Sequence, residues 1–100
     1  MLRIYDVALE MVRELRTVRL RDADLARQLR RAASSVVLNV AEGSGCRDGN
    51  RRLRYETALG SAREVVACLD VAVAWGDVAD APAVRGMLGE IIGTLVSVTR

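Results

Sequence analysis

Apolar residues recur every three or four positions along nearly the whole chain, and this spacing constrains the fold more than any other feature. An α-helix has 3.6 residues per turn, so residues spaced in this way form one apolar face. Clusters of glycine and aspartate interrupt the spacing at three places, and the chain has a single proline. The sequence therefore predicts four helices in one all-α domain that covers residues 1–100.

The predicted helices are bounded by capping residues and by glycines. Connections of roughly four to eight residues suit antiparallel neighbours, so an up-down four-helix bundle is the simplest arrangement. The helices are expected from about Leu2 to Arg19, from Asp22 or Asp24 to Gly43 or Gly45, from Asp48 or Asn50 to Gly76, and from Asp80 onward with Pro82 in the first turn.

Each predicted helix has one stripe of expected core residues. The core lacks phenylalanine, so it is built mainly from Leu, Val, Ile and Ala. The four stripes are Tyr5, Ala8, Leu9, Val12 and Leu15; Leu25, Leu29, Ala32, Val36 and Val40; Tyr55, Leu59, Ala62, Val66, Leu69 and Val73; and Val84, Leu88, Ile91, Leu95 and Val98.

The helices also have apolar or small residues outside these stripes. A helix that is apolar on several sides is usually buried on several sides. In a small bundle the extra faces are expected to pack against other copies of the chain, although isolated apolar residues on a surface are also normal. The predicted oligomer interface comprises Leu38, Cys68, Val71, Trp75, Gly86, Gly89 and Gly93.

Composition argues against most catalytic chemistry. Histidine is absent, which removes the usual general base and most metal sites. Cys46 and Cys68 are too few and too far apart for a disulfide framework or a zinc site. No signal peptide and no membrane-spanning run are visible. We therefore expect a cytoplasmic protein that is not an enzyme and needs no cofactor or metal.

A polar stripe on helix 2 lies beside its core stripe and includes Ser35, Asn39 and Glu42. Polar side chains that are partly buried need hydrogen-bond partners. We expect Asn39 and Glu42 to be at least half buried and to join Ser35, Ser61 and Glu64 in a structural network at the corner between helices 2 and 3. The alternative is a hydrolytic site based on Glu42 and Glu64, which has no histidine, metal ligand set or phosphate loop to support it.

Positive charge is concentrated near the middle of the chain. All fifteen basic residues are arginine, and the formal net charge is only +2. GC-rich codon usage explains the arginine bias without function, but arginine also binds phosphate well. Four arginines lie around the predicted start of helix 3, where they could hold phosphate oxygens or simply be solvated: Arg47, Arg51, Arg52 and Arg54.

The segment QLRRAASSVVLNVAEGSGCR, followed by RRLRYETALGSAREVVACLDVAVAWG, resembles the four-helix-bundle family of ribosomal-RNA intervening-sequence proteins. The similarity covers helices 2 and 3, about half of the chain. Residues that match the family pattern are Gln28, Arg30, Arg31, Ala32, Ser35, Asn39, Ala41, Glu42, Gly43, Gly45, Arg47, Ala58, Gly60, Ser61 and Glu64.

This resemblance implies a left-handed bundle that assembles as a homo-oligomeric ring, typically a pentamer, without catalytic activity. Related bundles include the accessory variability determinant of diversity-generating retroelements, which binds a reverse transcriptase and its RNA. The leading hypothesis is an oligomeric accessory protein that binds the phosphate backbone of RNA or DNA. The alternative is a purely protein-binding scaffold. The predicted nucleic-acid contacts are Arg27, Arg30, Arg31, Arg47, Arg51, Arg52 and Arg54.

Overall fold

A computed structural model describes residues 2–46 and 48–100, without the side chains of residues 48 and 49. The chain forms an all-α four-helix bundle of 43 × 22 × 21 Å. The helices are α1 (Ile4–Leu15), α2 (Ala23–Gly45), α3 (Asp48–Trp75) and α4 (Pro82–Val98). Among the described residues, each helix contacts two others, and the α2–α3 contact is the most extensive.

Helix α1 is shorter than the sequence predicts. Beyond Leu15 the backbone amides of Arg16, Thr17 and Val18 bond three residues back, which is a tighter turn than an α-helix. The core face is also rotated, because Ile4, Ala8 and Met11 are buried. Tyr5, Leu9 and Val12 only flank the core. The prediction for this helix was therefore wrong in its end and partly wrong in its face.

The starts of α2 and α4 differ in how they are capped. Asp22 caps α2 as predicted, because its carboxylate accepts the amides of Asp24 and Leu25. Helix α4 has Ala81 at the N-cap with no side-chain cap, and Pro82 occupies the first turn. Asp80 instead accepts the amide of Ala81 and the guanidinium of Arg85. The predicted cap by Asp80 is therefore wrong.

Helix α3 ends where the sequence predicts. Gly76 has a φ of 80°, in the left-handed region that glycine adopts without strain. Its amide bonds to the carbonyl of Val73, and the amide of Asp77 bonds to that of Ala72. These two bonds form a Schellman motif, which satisfies carbonyls at the end of the helix.

The core confirms the predicted stripes of α2 and α4 at most positions. Leu29, Ala32, Val36 and Val40 are buried on α2, whereas Leu25 is partly exposed. On α4 the predicted residues are buried except Val98, which is 41% exposed. On α3 the predicted Tyr55, Ala62 and Leu69 are buried, whereas the predicted Leu59, Val66 and Val73 are only partly buried. The predicted stripe omits four residues that are buried: Ala58, Val65, Cys68 and Ala72.

One hydrogen bond joins two of the connections between helices. The Asp77 carboxylate accepts the backbone amide of Arg21 at 3.2 Å, which links the α1–α2 connection to the α3–α4 connection. No helix in the described part of the chain is long and apolar enough to cross a membrane.

Candidate nucleic-acid interface

The corner between α2 and α3 is built on a close contact between a glycine and an aromatic ring. Gly43 is buried inside α2, and a Cβ added there would lie 2.4 Å from Cε1 of Tyr55. Only the hydrogen atom of a glycine fits in that space, so a side chain at position 43 would collide with the ring. Gly43 is therefore required by packing inside the helix, and α2 ends at Gly45, the second of the two glycines at which its end was predicted.

Tyr55 is 5% exposed, and the hydroxyl groups of Tyr55 and Ser44 lie 3.5 Å apart. Ser44 in turn donates to the carbonyl of Val40 at 3.0 Å. This arrangement holds the first turns of α3 against the last turns of α2. It sets the positions of the side chains on the outside of the corner.

Three of the five predicted polar residues form one network along the α2–α3 contact. Ser35 Oγ and Ser61 Oγ lie 2.7 Å apart. The amide nitrogen of Asn39 donates to the carbonyl of Ser35 at 2.9 Å and to its hydroxyl at 3.1 Å. Asn39 is partly buried. The network therefore links α2 to α3 more than one helical turn before α2 reaches the corner.

The other two predicted members lie outside this network. The side chain of Glu42 is 53% exposed and pairs with Arg54 at 3.1 Å across the corner. Glu64 is exposed on α3. The expectation that Glu42 is buried was therefore wrong, because the side chain points past the contact toward solvent and an arginine.

The hydrolytic alternative needs Glu42 and Glu64 close together. The Ser35–Ser61 and Glu42–Arg54 pairs set the register of the two helices. In that register the two glutamates are about ten residues apart along the helix axis, or roughly 15 Å. Carboxylate pairs in glycoside hydrolases lie about 5–9.5 Å apart. The fold therefore does not bring this pair together.

The arginines at the start of α3 are largely engaged by other groups. Arg52 pairs with Glu56 at 2.8 Å, and Arg54 pairs with Glu42. The Nε of Arg51 donates to the carbonyl of Cys46 at 3.0 Å. Arg47 lies outside the described residues. Counted along the sequence, residues 42–56 contain four arginines and three acidic residues, which gives this segment a formal charge of only +1.

The arginines on the N-terminal half of α2 have fewer partners. Arg27 pairs with Asp24. Arg30 and Arg31 are exposed, and no carboxylate among the described residues lies within ion-pair distance of either. The fold brings Arg16 and Arg19 to the same region, where they line a cleft together with Arg30.

Arg16 and Arg19 were not predicted as site residues, because both were expected in the last turns of helix 1. The signal that could have found them is the run RTVRLR, which has three arginines and no acidic residue. Arg16, Arg19 and Arg30 line this cleft, and Arg31 is the next exposed residue of α2; we call these four arginines together the α2 basic surface. It lies about 16 Å from the arginines of the corner, measured along α2 from position 31 to position 42.

The predicted interface positions Trp75, Leu38 and Cys68 differ sharply in accessibility. Trp75 is 75% exposed and Leu38 is 60% exposed. Cys68 is 4% exposed and belongs to the core, so it cannot lie on the outer surface as predicted. Burial, and secondarily the charge of Glu64, raise the pKa of the Cys68 thiol. The thiol is therefore protonated at neutral pH and is a poor nucleophile.

Helix α4 exposes its glycines to open space. Gly86, Gly89 and Gly93 are exposed, and a Cβ added to any of them would meet nothing within 4 Å. In the described part of the chain no group of three His, Cys, Asp or Glu side chains could hold a metal ion. The arrangement offers cationic surfaces and apolar outer faces for binding.

A scan against family models matches residues 2–91 to the 23S rRNA-intervening sequence protein family. The match covers most of the chain, so the chain belongs to this family. The predicted resemblance is confirmed, and it extends to α1 and most of α4. No curated protein and no solved structure matches the chain.

Proposed function

We propose that this protein is a non-enzymatic, homo-oligomeric accessory protein that binds the phosphate backbone of RNA or DNA. The observation that carries the proposal is the α2 basic surface, whose arginines are exposed and have no carboxylate within ion-pair distance among the described residues. Arginine that is not already neutralised can replace the counterions of a phosphate. Such binding positions a nucleic acid without selecting its sequence.

The predicted arginines are not expected to contribute equally to phosphate binding. Arg51, Arg52 and Arg54 would have to exchange existing partners for phosphate, whereas Arg30 and Arg31 would not. We therefore place the main contact on α2, where Arg27 is a neighbour, and a weaker contact at the corner. The protein would work in the cytoplasm, where nucleic-acid partners of this kind occur.

We also propose an up-down topology and assembly into a ring, with five copies as the expected number. The Arg21–Asp77 contact supports the topology, because it places the first and third connections at the same end of the bundle. A ring requires two different surfaces that fit each other. Helix α3 provides a ridge of exposed residues with one acidic residue among them: Leu53, Thr57, Gly60, Glu64, Ala67, Val71 and Trp75.

Helix α4 provides the matching groove. Gly86, Gly89 and Gly93 lie on its outer face with no atoms above them, so another helix can approach closely. The ridge of one copy would pack into the groove of the next, with Leu38 beside the ridge. Five copies would multiply the net charge of +2 to +10 and repeat the α2 basic surface around the ring.

The nucleic-acid proposal is tested with two matched double variants. Arg30→Gln/Arg31→Gln removes exposed cations without ion pairs, and Arg52→Gln/Arg54→Gln removes paired ones. Binding of a fluorescein-labelled 20-nucleotide RNA is followed by anisotropy across a salt series. We expect the α2 variant to weaken binding at least about tenfold and to reduce the salt slope by about 1.4, corresponding to two phosphates of a single strand. The corner variant should have a smaller effect.

If the wild-type protein does not bind RNA or DNA at low salt, the proposal fails and the scaffold alternative takes its place. The exposed ridge on α3, with Trp75 at its end, is the observation that favours a protein partner. A reverse transcriptase is the partner that we propose for this role, which would connect the protein to diversity-generating retroelements.

The ring is tested by Gly89→Leu, with Gly45→Leu as the control. Both glycines are exposed and have space around them, but Gly45 is not part of the proposed groove. Light scattering should show Gly89→Leu shifted toward the monomer and Gly45→Leu unchanged. An oligomer of unchanged mass in both variants would mean that the glycine groove faces water.

A further inference from the structure

A cleft of about 420 Å³ lies between the C-terminal part of α1, the α1–α2 connection and the N-terminal half of α2. Its walls are aliphatic, with contributions from Val12, Leu15, Val18 and Leu20 and from the buried Leu29. The volume lies within the range of small-molecule pockets in proteins, about 300–1,000 Å³. The cleft can therefore enclose a small apolar group.

The charged residues that line this cleft are all positively charged. Arg16, Arg19 and Arg30 line it, and no acidic residue does. The neighbouring arginines at positions 21 and 27 each have a carboxylate partner, Asp77 and Asp24 respectively. The three arginines of the cleft have none within ion-pair distance among the described residues. An anion at the mouth of the cleft would meet charge that the fold leaves uncompensated.

We propose that the cleft binds a small amphiphile that has one aliphatic chain and an anionic head, such as a medium-chain carboxylate. The aliphatic walls remove the chain from water, and an arginine fork matches the two oxygens of a carboxylate. A nucleobase fits less well, because Ser34 is the only uncharged polar side chain that lines the cleft. The polar edges of a base would lose their hydrogen bonds to water without replacement.

The chemistry of the ligand is tested by titration calorimetry with decanoate below its micellar concentration. The comparison ligands are 1-decanol, which lacks the charge, and acetate, which lacks the chain. Arg30 is shared with the proposed nucleic-acid surface, so the protein must be freed of nucleic acid first. We expect one decanoate per chain and at least about tenfold weaker binding of each comparison ligand. Absence of decanoate binding to the wild-type protein overturns the proposal.

The location of the site is tested by three variants. Arg30→Gln should weaken decanoate binding about fivefold to tenfold. Arg63→Gln, on an exposed arginine of α3 that does not line the cleft, should leave it unchanged. Ala26→Leu should abolish it by filling the cleft, and circular dichroism must first show an intact helical fold. If that variant does not fold, the two arginine variants decide the question, and equal losses in both would overturn the assignment.

Discussion

Gly43 on α2 and Gly89 on α4 both lie inside helices, yet their surroundings are opposite. The backbone of Gly43 lies against the ring of Tyr55, with no room for a Cβ. Gly89 has nothing within 4 Å of the position that a Cβ would occupy. The α2–α3 contact is therefore closed within one chain, whereas the outer face of α4 is open.

This difference shows that a glycine in a helix can serve two purposes. Glycine in a helix interior costs about 0.5–1 kcal/mol relative to alanine. At Gly43 the close contact with Tyr55 offsets that cost within the chain. On α4 nothing in the described part of the chain offsets it, which is why we propose that a second copy does.

The largest expected effect is at Gly43. Gly43→Ala would place a methyl group against a buried ring, and overpacking of this kind costs about 1–3 kcal/mol. The better helix propensity of alanine returns about 1 kcal/mol of that. We expect a net loss of up to about 2 kcal/mol in the free energy of unfolding, measured with urea. Gly45→Ala, where space is open, should show no loss, and equal losses in the two variants would contradict the packing role.

The second prediction concerns the hydroxyl contact between α2 and α3. Ser61→Ala removes the partner of Ser35 at a partly buried site and should lower the free energy of unfolding by about 1 kcal/mol. Thr57→Ala serves as the control, because Thr57 bonds only within its own helix, to the carbonyl of Leu53. A Ser61→Ala variant with an unchanged free energy of unfolding would show that the α2–α3 contact depends on apolar packing alone.

The third prediction has the opposite sign. Gly89→Ala should raise the free energy of unfolding of the monomer by about 0.5–1 kcal/mol, because the new methyl group meets no atom. The measurement must be made at dilutions where sedimentation shows a monomer. A destabilised monomer would mean that the α4 face is not open and would remove the contrast with Gly43.

The smallest expected effect depends on pH. The hydrogen bond from Arg85, and then that from the Ala81 amide, lower the pKa of Asp80 below its usual range. A lowered pKa in the folded state means that the ionised form stabilises the fold. This contribution is complete above the ordinary aspartate value of about 4 and is lost as the pH falls through the lower folded value.

Asp80→Asn tests this dependence. The variant should unfold at a slightly lower temperature than the wild type at pH 6, and the difference should shrink as the pH falls below about 4. Asp6→Asn, on an exposed aspartate of α1 for which the structure records no ion pair, is the control. A difference that stays constant into acid would show that the carboxylate charge of Asp80 does not matter.

Part of the candidate site could be predicted because its signals are local. Asp22 as a cap and Gly76 as a helix end follow from chemistry within a few residues of each position. The network of Ser35, Asn39 and Ser61 also followed from polar residues that recur beside a core stripe. The prediction for Glu42 was wrong because successive residues of an α-helix are rotated by about 100° about the helix axis. A difference of one position therefore takes a side chain from the helix–helix contact to solvent.

The number and type of the helices, and the family, were determined by the sequence itself. Periodicity and helix ends depend on residues that are close in the chain. Tertiary structure alone decided the ion pairs between helices, because Glu42 meets Arg54 only when α2 packs against α3. It likewise decided that Cys68 is buried and that Arg16, Arg19 and Arg30 share a cleft. These properties depend on how the helices are rotated against one another, and an apolar stripe wide enough to allow several rotations does not specify that angle.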